Sequence, residues 1–322
     1  MTLSVATAGT GPATAAPPTT LDITVLAGGV GAEREISRES GRMVGEALGR
    51  LKHNVTLRDI TPENLSALDV PADVVFIALH GAFGEDGAIQ RILDQRGIAY
   101  TGSGAEASAL AMDKVAAKAK FIENAIPTPP FDLIKPARLK RAARNIVLPV
   151  VVKPCDSGSS VDTYIIRDVD QLEPILSTVV ARYGCALVER YVEGPELTVG
   201  ILGDKSLPVC EIRTRREFYN YEAKYIDDDT EYLFDIDLPG PLLERIGALS
   251  LQAHRALGCQ DFSRVDWMVD RSSGEPFALE VNTIPGLTSH SLLPKAAALA
   301  DITFDTLCQT VIDLALNRAA SI

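Results

Sequence analysis

This 322-residue chain has no long apolar run, no basic tract and no closely spaced cysteines, and each absence removes a class of function. Spanning a bilayer takes about 20 consecutive apolar residues, and no run here approaches that. The first basic residue is Arg34, so the N-terminus lacks the charged start of a secretory signal. The expectation is a cytoplasmic protein with no membrane attachment. Lys and Arg number 31 against 43 Asp and Glu, and the net charge of −12 repels nucleic-acid phosphates. Nucleic acid is therefore not an expected partner. Cys155, Cys185, Cys210, Cys259 and Cys308 form no C-x-x-C pair, and their odd number and wide spacing fit neither a disulfide framework nor a zinc site. They read as small buried hydrophobes in a reducing compartment.

Two nucleotide motifs are also missing. No G-x-x-x-x-G-K-[ST] occurs, which excludes a P-loop protein, and the cluster Gly28-Gly29-Val30-Gly31 is not the G-x-G-x-x-G of a Rossmann oxidoreductase. There is no internal repeat.

What is present is an ordinary globular composition, 46% hydrophobic, over a length that suggests two or three domains. Met1 to Thr20 is mostly Ala, Thr, Gly and Pro, which bury too little apolar area to order themselves, so a disordered tail is expected. Leu21–Ala27 and Asp73–Leu79 read as buried strands. Between them runs a helix with Ser37 as a possible N-cap. The helix Ala88–Gln95 and the short strand Ile98–Tyr100 follow, and this alternation argues for an open, mostly parallel α/β sheet. Ala105 to Asn124 reads as one Ala- and Lys-rich helix, broken by Ile126 to Pro130. Val147–Val152 and Ala186–Val188 read as strands flanking a helix Asp168–Tyr183. A helix around Leu242–Gly258 and a closing helix Phe304–Asn317 complete a mixed α/β and α+β chain. Boundaries near 104 and 188 divide it into units 21–104, 105–188 and 189–322.

The most informative stretch is Asp261 to Ser291. Arg264-Val-Asp266 and Glu280-Val-Asn282 alternate polar with apolar residues, and positions two apart in a strand share a face. If the turn-rich segment Asp270–Pro276 closes a symmetric antiparallel hairpin centred on Ser273, Asp266 lies opposite Glu280 and Arg264 opposite Asn282. Three oxygen ligands and a guanidinium then share a face, which suits magnesium and the phosphates it accompanies. A solvated face with cross-strand ion pairs would give the same pattern.

Lys153 ends a β-branched strand before the Gly/Ser-rich turn Asp156–Ser160, a setting for polyphosphate or for a lysine that only snorkels. Lys114, after Met112-Asp113, reads on its own as a surface residue. Glu189 and Glu196 bracket Gly194-Pro195, where a strand-end carboxylate can take ribose hydroxyls or simply be solvated.

Several motifs follow one another in a telling order: Gly28–Ser37, His80–Gly87 (HGAFGEDG), Tyr100–Gly104, Met112-Asp-Lys114, Val152-Lys-Pro154 with Gly158-Ser-Ser160, Phe218–Tyr225, Arg264-Val-Asp266 and Glu280–Leu292. Together they resemble the D-alanine–D-alanine ligases of the ATP-grasp superfamily, over essentially residues 21–317. The resemblance implies a three-domain ATP-grasp fold with nucleotide between the central and C-terminal domains. It also implies peptide bond formation between two D-alanines through an acyl phosphate, in peptidoglycan precursor synthesis.

On that resemblance Lys114 and Lys153 would hold the ATP phosphates, and Glu189 and Glu196 its adenosine end. Asp266, Glu280 and Asn282 would bind two magnesium or manganese ions. Glu33 would take the ammonium of the first D-alanine, with His80 nearby. Ser159 and Tyr225 would close the site, and Lys224 and Ser291 would take the carboxylate of the second D-alanine. Arg264 and the backbone N–H of Gly286 would face the oxyanion, where losing one donor typically costs ~3–4 kcal/mol. The segment Phe218 to Asp229 would cover the acyl phosphate against water. A homodimer is usual in the family. The chain departs from the family pattern at Gly31, where serine is common, at Phe262-Ser263, and at Asp162, where glycine is usual. Asp162 is expected to point outward and cap a local turn, since aspartate tolerates a left-handed backbone. A D-lactate-using ligase, a binding protein without chemistry and, from Gly28 alone, a Rossmann oxidoreductase that a nicotinamide-binding assay would separate are the alternatives. Glu222-Ala-Lys-Tyr225 argues against the first, and the full set of lysines, Arg264 and metal-type ligands against the second.

Overall fold

The computed structural model describes residues 20–31, 33–142, 146–158, 160–216 and 230–320. Three sheets organise them. In the first, β1 (Asp22–Gly28) is flanked in parallel by β2 (Asn54–Ile60) and β3 (Val74–Ile77). The expected strand at Ile98–Tyr100 is reduced to a single bridge, Val75 to Tyr100. Helix α1 (Arg34–Arg50) packs on this sheet through Val44, Ala47 and Leu48, spaced for one helix face. Gly41 lets it approach closely, because a Cβ there would stand 2.5 Å from that of Ala27.

Ser37 does not cap α1. The helix starts one turn earlier, with Glu33 at the N-cap position. Ser37 is instead fully buried, accepting from the Gly28 N–H and donating to the Ala78 carbonyl, so it ties the ends of β1 and β3. A buried hydroxyl with both bonds satisfied outweighs its capping preference.

Helix α2 (Ala88–Arg96) leads to α3 (Ala105–Met112) and α4 (Lys114–Glu123). The single helix expected over Ala105–Asn124 is thus two. Asp113 is extended, and its carboxylate caps α4 by accepting the Val115 and Ala116 N–H groups, both at 3.0 Å. The break turns Lys114 inward, where only 8% of it is exposed.

The second sheet has the order β4 (Phe131–Ile134), β7 (Ala186–Arg190), β5 (Val150–Lys153), β6 (Tyr164–Ile166), all antiparallel. The short α5 (Leu139–Ala142) and the longer α6 (Val169–Tyr183) accompany it. Asp168 caps α6 and Gly184 ends it. Leu172, Leu176 and Val180 of α6 meet Val152 and Val188, each such burial contributing ~1.5–3 kcal/mol.

The third sheet runs β11 (Glu231–Leu233), β10 (Cys210–Arg213), β8 (Glu196–Leu202), β12 (Phe262–Val269), β13 (Pro276–Asn282), with β9 (Lys205–Ser206) beside β8. Helix α7 (Gly240–Ala256) covers it. Trp267 is fully buried and donates its indole N–H to Ser250 of α7 at 2.8 Å. The last helices, α8 (Leu292–Leu299) and α9 (Phe304–Ala319), return the chain to the first sheet, and Leu307 and Val311 share its core with Ile23 and Phe76.

Candidate active site

The hairpin β12–β13 pairs Arg264 with Asn282 and Asp266 with Glu280, the register the polar alternation predicts. The geometry behind it is not symmetric about Ser273. From Val269/Pro276 to Trp267/Ala278 the ladder is centred half a residue earlier, and a bulge between Asp266 and Trp267 restores the pairing. The extra residue is Leu279, so Leu279 and Glu280 both line the same cavity.

Asp266 is the hub of this face. Its Oδ1 accepts Arg264 Nε at 2.8 Å and the Thr198 hydroxyl at 2.6 Å, and its Oδ2 accepts Arg264 Nη2 at 2.7 Å and the Asn282 amide at 3.0 Å. Glu280 accepts from Lys114. Burial alone would lower the Lys114 ammonium, but the Glu280 carboxylate holds it above the usual lysine range.

Two cavities meet at this pair. One, of about 540 Å³, is lined by Glu33, His80, Lys114, Arg264, Glu280, Asn282, Gly286 and Ser291. The other, of about 480 Å³, lies between the second and third sheets and is lined by Lys114, Lys153, Glu189, Glu196, Asp266 and Glu280. Both volumes suit small ligands. Every site residue expected from sequence that falls among the described residues therefore borders one cavity or the other. Ser159, Lys224 and Tyr225 lie outside the described residues, as does the expected cover Phe218–Asp229.

In the first cavity Glu33 stands over Gly81, where a Cβ would sit 2.7 Å from its carboxylate and φ is +65°. Glycine meets both demands. His80 is buried and desolvation holds its imidazole below the usual range, against the pull of Glu33. The ring is neutral, and its partners set the tautomer. Nδ1–H donates to the Ile284 carbonyl at 3.1 Å, and Nε2 accepts the Ser40 hydroxyl at 3.3 Å. Ser40 in turn accepts the Leu287 N–H, so this chain of bonds anchors the loop carrying Gly286 to the first sheet.

The sequence reading missed Glu85. It receives the Gly81 N–H at 2.7 Å and the Ile284 N–H at 3.3 Å. Burial, with Glu33 beside it, nonetheless lifts its pKa to about 8. Its place in the HGAFGEDG turn was the available signal.

A buried triad stands at the wall of the second cavity, with Glu189 and Lys153 lining it and Lys118 behind them. Glu189 is 2% exposed, with Lys118 2.9 Å from Oε1 and Lys153 2.8 Å from Oε2. Burial alone would raise the carboxyl, but the two ammonium groups bring it down to about 2. Lys118 is fully buried and desolvation lowers it to about 8 against the attraction of Glu189. Lys118 also went unnoticed in the sequence, although it lies one helical turn after Lys114.

Asp162 points out of the second cavity, as expected, but among the described residues its carboxylate is held by side chains rather than capping a local turn. Its φ is +51°, and its carboxylate accepts from Tyr183 at 2.6 Å, Arg182 at 2.7 Å and Tyr164 at 3.1 Å.

Among the described residues no three His, Cys, Asp or Glu side chains form a metal cluster. The hairpin face instead offers two carboxylates and one amide, an all-oxygen set that fits a hard cation with phosphate or water completing its shell.

Comparison with known proteins identifies the family. The family model described as D-ala D-ala ligase C-terminus matches residues 122–313, and D-ala D-ala ligase N-terminus matches 58–103. The D-alanine–D-alanine ligase of Desulforudis audaxviator is 42% identical over 305 residues, covering 92% of this chain and 99% of that protein. That of Anaeromyxobacter sp. is 40% identical over 301 residues, covering 92% and 97%. The crystal structure of the Bacillus anthracis D-alanine–D-alanine ligase complexed with ATP superposes with a TM-score of 0.79 at 32% identity, over 94% of this chain and 99% of that one. The VanG D-Ala:D-Ser ligase of Enterococcus faecalis gives 0.81 at 26% identity, over 92% and 99%. The chain belongs to the D-alanine–D-alanine ligase family.

Proposed function

We propose that this chain uses ATP to join two D-alanines into D-alanyl-D-alanine for peptidoglycan precursor synthesis, releasing ADP and phosphate. The observation that carries this reading is the Lys114–Glu280 pair, which borders both cavities. A phosphoryl group crossing from nucleotide to carboxylate must pass such a junction.

A carboxylate is a poor electrophile. Its oxygen therefore attacks the γ-phosphate, ADP leaves, and an acyl phosphate forms. Lys114 and Lys153 hold the phosphates during transfer, and Glu189 and Glu196 hold the adenosine end. Glu33 receives the ammonium of the first D-alanine, with neutral His80 beside it. Ser291, at the start of α8, and Lys224 receive the carboxylate of the second. Its amine attacks the acyl carbon and phosphate departs. Arg264 and the Gly286 N–H donate to the oxyanion formed on the way. Ser159 and Tyr225 complete the closed site. Asp266, Glu280 and Asn282 would hold magnesium or manganese, which when bound neutralises phosphoryl charge.

Three units, 21–104, 105–188 and 189–322, would divide these roles, although α3 and α4 share the core around Trp267 with the third sheet. A cytoplasmic homodimer is the expected setting. Among the described residues no helix is long and apolar enough to cross a membrane.

Glu280→Gln tests the junction. The near-isosteric change keeps the fold, and turnover at limiting magnesium should fall ~100-fold or more. Turnover close to wild type would remove Glu280 from the metal set.

A further inference from the structure

Cys155 and Cys185 are thirty residues apart in sequence, yet their sulfurs lie 2.8 Å apart, with the Cys185 thiol donating to Cys155. Strand pairing explains the meeting. The β5–β7 ladder pairs Val152 with Val188 and Lys153 with Leu187, and continuing that register two residues further sets Cys155 opposite Cys185. Directly opposed antiparallel residues have the Cα separation that a disulfide needs. Both thiols are free.

The position matters as much as the pairing. Cys155 is two residues beyond Lys153, and its carbonyl accepts the backbone N–H of Lys114 at 2.9 Å. The Gly/Ser-rich turn that borders the nucleotide cavity starts from it. We propose that Cys155 and Cys185 form a peroxide-responsive thiol pair whose closure to a disulfide acts on the nucleotide site. The coupling to ATP rests on the nucleotide reading given above, whereas the thiol chemistry does not.

The step balances with hydrogen peroxide as oxidant. Cys185 is the more exposed of the two, and its sulfur attacks one peroxide oxygen. The O–O bond breaks, one water leaves and a sulfenic acid remains. The Cys155 sulfur then attacks that sulfur, the S–O bond breaks and a second water leaves. The two thiols lose two electrons and two protons, and the peroxide gains them. Burial pushes the Cys155 thiol up, so the more exposed Cys185 is the sulfur that meets peroxide first.

The test exposes the native full-length protein to hydrogen peroxide, blocks residual thiols under denaturing conditions and maps peptides without reduction. A Cys155–Cys185 linked peptide is expected, reversed by dithiothreitol. The oxidised enzyme should show a Michaelis constant for ATP raised about threefold or more, equal to ~0.65 kcal/mol if it tracks binding. Cys185→Ser should keep the reduced wild-type constant and lose the peroxide response, and Cys155→Ser should also form no linked peptide. Both thiols remaining alkylatable after peroxide, or pairing with other cysteines, would overturn the thiol pair. A linked enzyme with an unchanged constant would overturn its coupling to ATP. Calorimetric titration of the reduced protein with ATP separates these results from a failure of the nucleotide reading, because the peptide map does not depend on ATP.

Discussion

Glu85 is the residue whose charge the fold controls most consequentially. With its pKa lifted to about 8, the folded protein holds a proton there that the unfolded chain releases near pH ~4.3. The stability gained is complete below the unfolded value and is lost progressively as pH rises through about 8. Glu85→Gln removes the titration, so unfolding free energy of the ligand-free protein should fall less between about pH 5 and about pH 9 than in wild type. Parallel pH profiles for the two proteins would show that Glu85 is already ionised when folded. Asp162 makes the opposite case, a charge between cavity-lining neighbours Val161 and Thr163 that the fold turns outward. Its carboxylate is held below the usual range by the Tyr183 and Tyr164 hydroxyls and by Arg182. Asp162→Gly should therefore leave the Michaelis constant for ATP within about twofold, or ~0.4 kcal/mol. A tenfold decrease would mean that the carboxylate faces the nucleotide.

At the scale of elements, α9 carries the chain back across the molecule. Arg318 near its end pairs with Asp261, which also accepts the Gly102 N–H at 2.8 Å, and donates to the Tyr100 carbonyl at 2.6 Å. Asp261 is only 8% exposed, so removing its partner leaves a buried charge. Arg318→Ala should cost ~3 kcal/mol in chemical denaturation while leaving turnover of the folded enzyme nearly unchanged. A loss under ~1 kcal/mol would show that solvent replaces the guanidinium. The hairpin shows what sequence could and could not reveal at this scale. Asp266 opposite Glu280 was legible because polar and apolar residues alternate on both strands. The Leu279 bulge that produces the pairing was not, since nothing local in Phe277–Val281 distinguishes it from a regular strand. Lys118 was hidden for a related reason. In an Ala- and Lys-rich helix an inward lysine looks like its solvated neighbours, and only the arrival of Glu189 from β7 identifies it. The Cys155–Cys185 contact depends on cross-strand register and could not be read from spacing.

For the molecule as a whole, three sheets bring twelve of the expected site residues around two adjoining cavities, with one ion pair at their boundary. Two arrangements would leave the fold intact and change the chemistry. The second substrate could differ from the first, as the name of the VanG D-Ala:D-Ser ligase says of that protein. Alternatively, ATP hydrolysis could be uncoupled from ligation. A single measurement separates these from the reading proposed above: phosphate release from the purified chain with ATP, magnesium and D-alanine, with the product identified by mass spectrometry. One phosphate released per D-alanyl-D-alanine formed, with release dependent on D-alanine, is the expected result. Phosphate release indifferent to D-alanine, or a mixed product preferred when D-serine or D-lactate is supplied alongside, would contradict it.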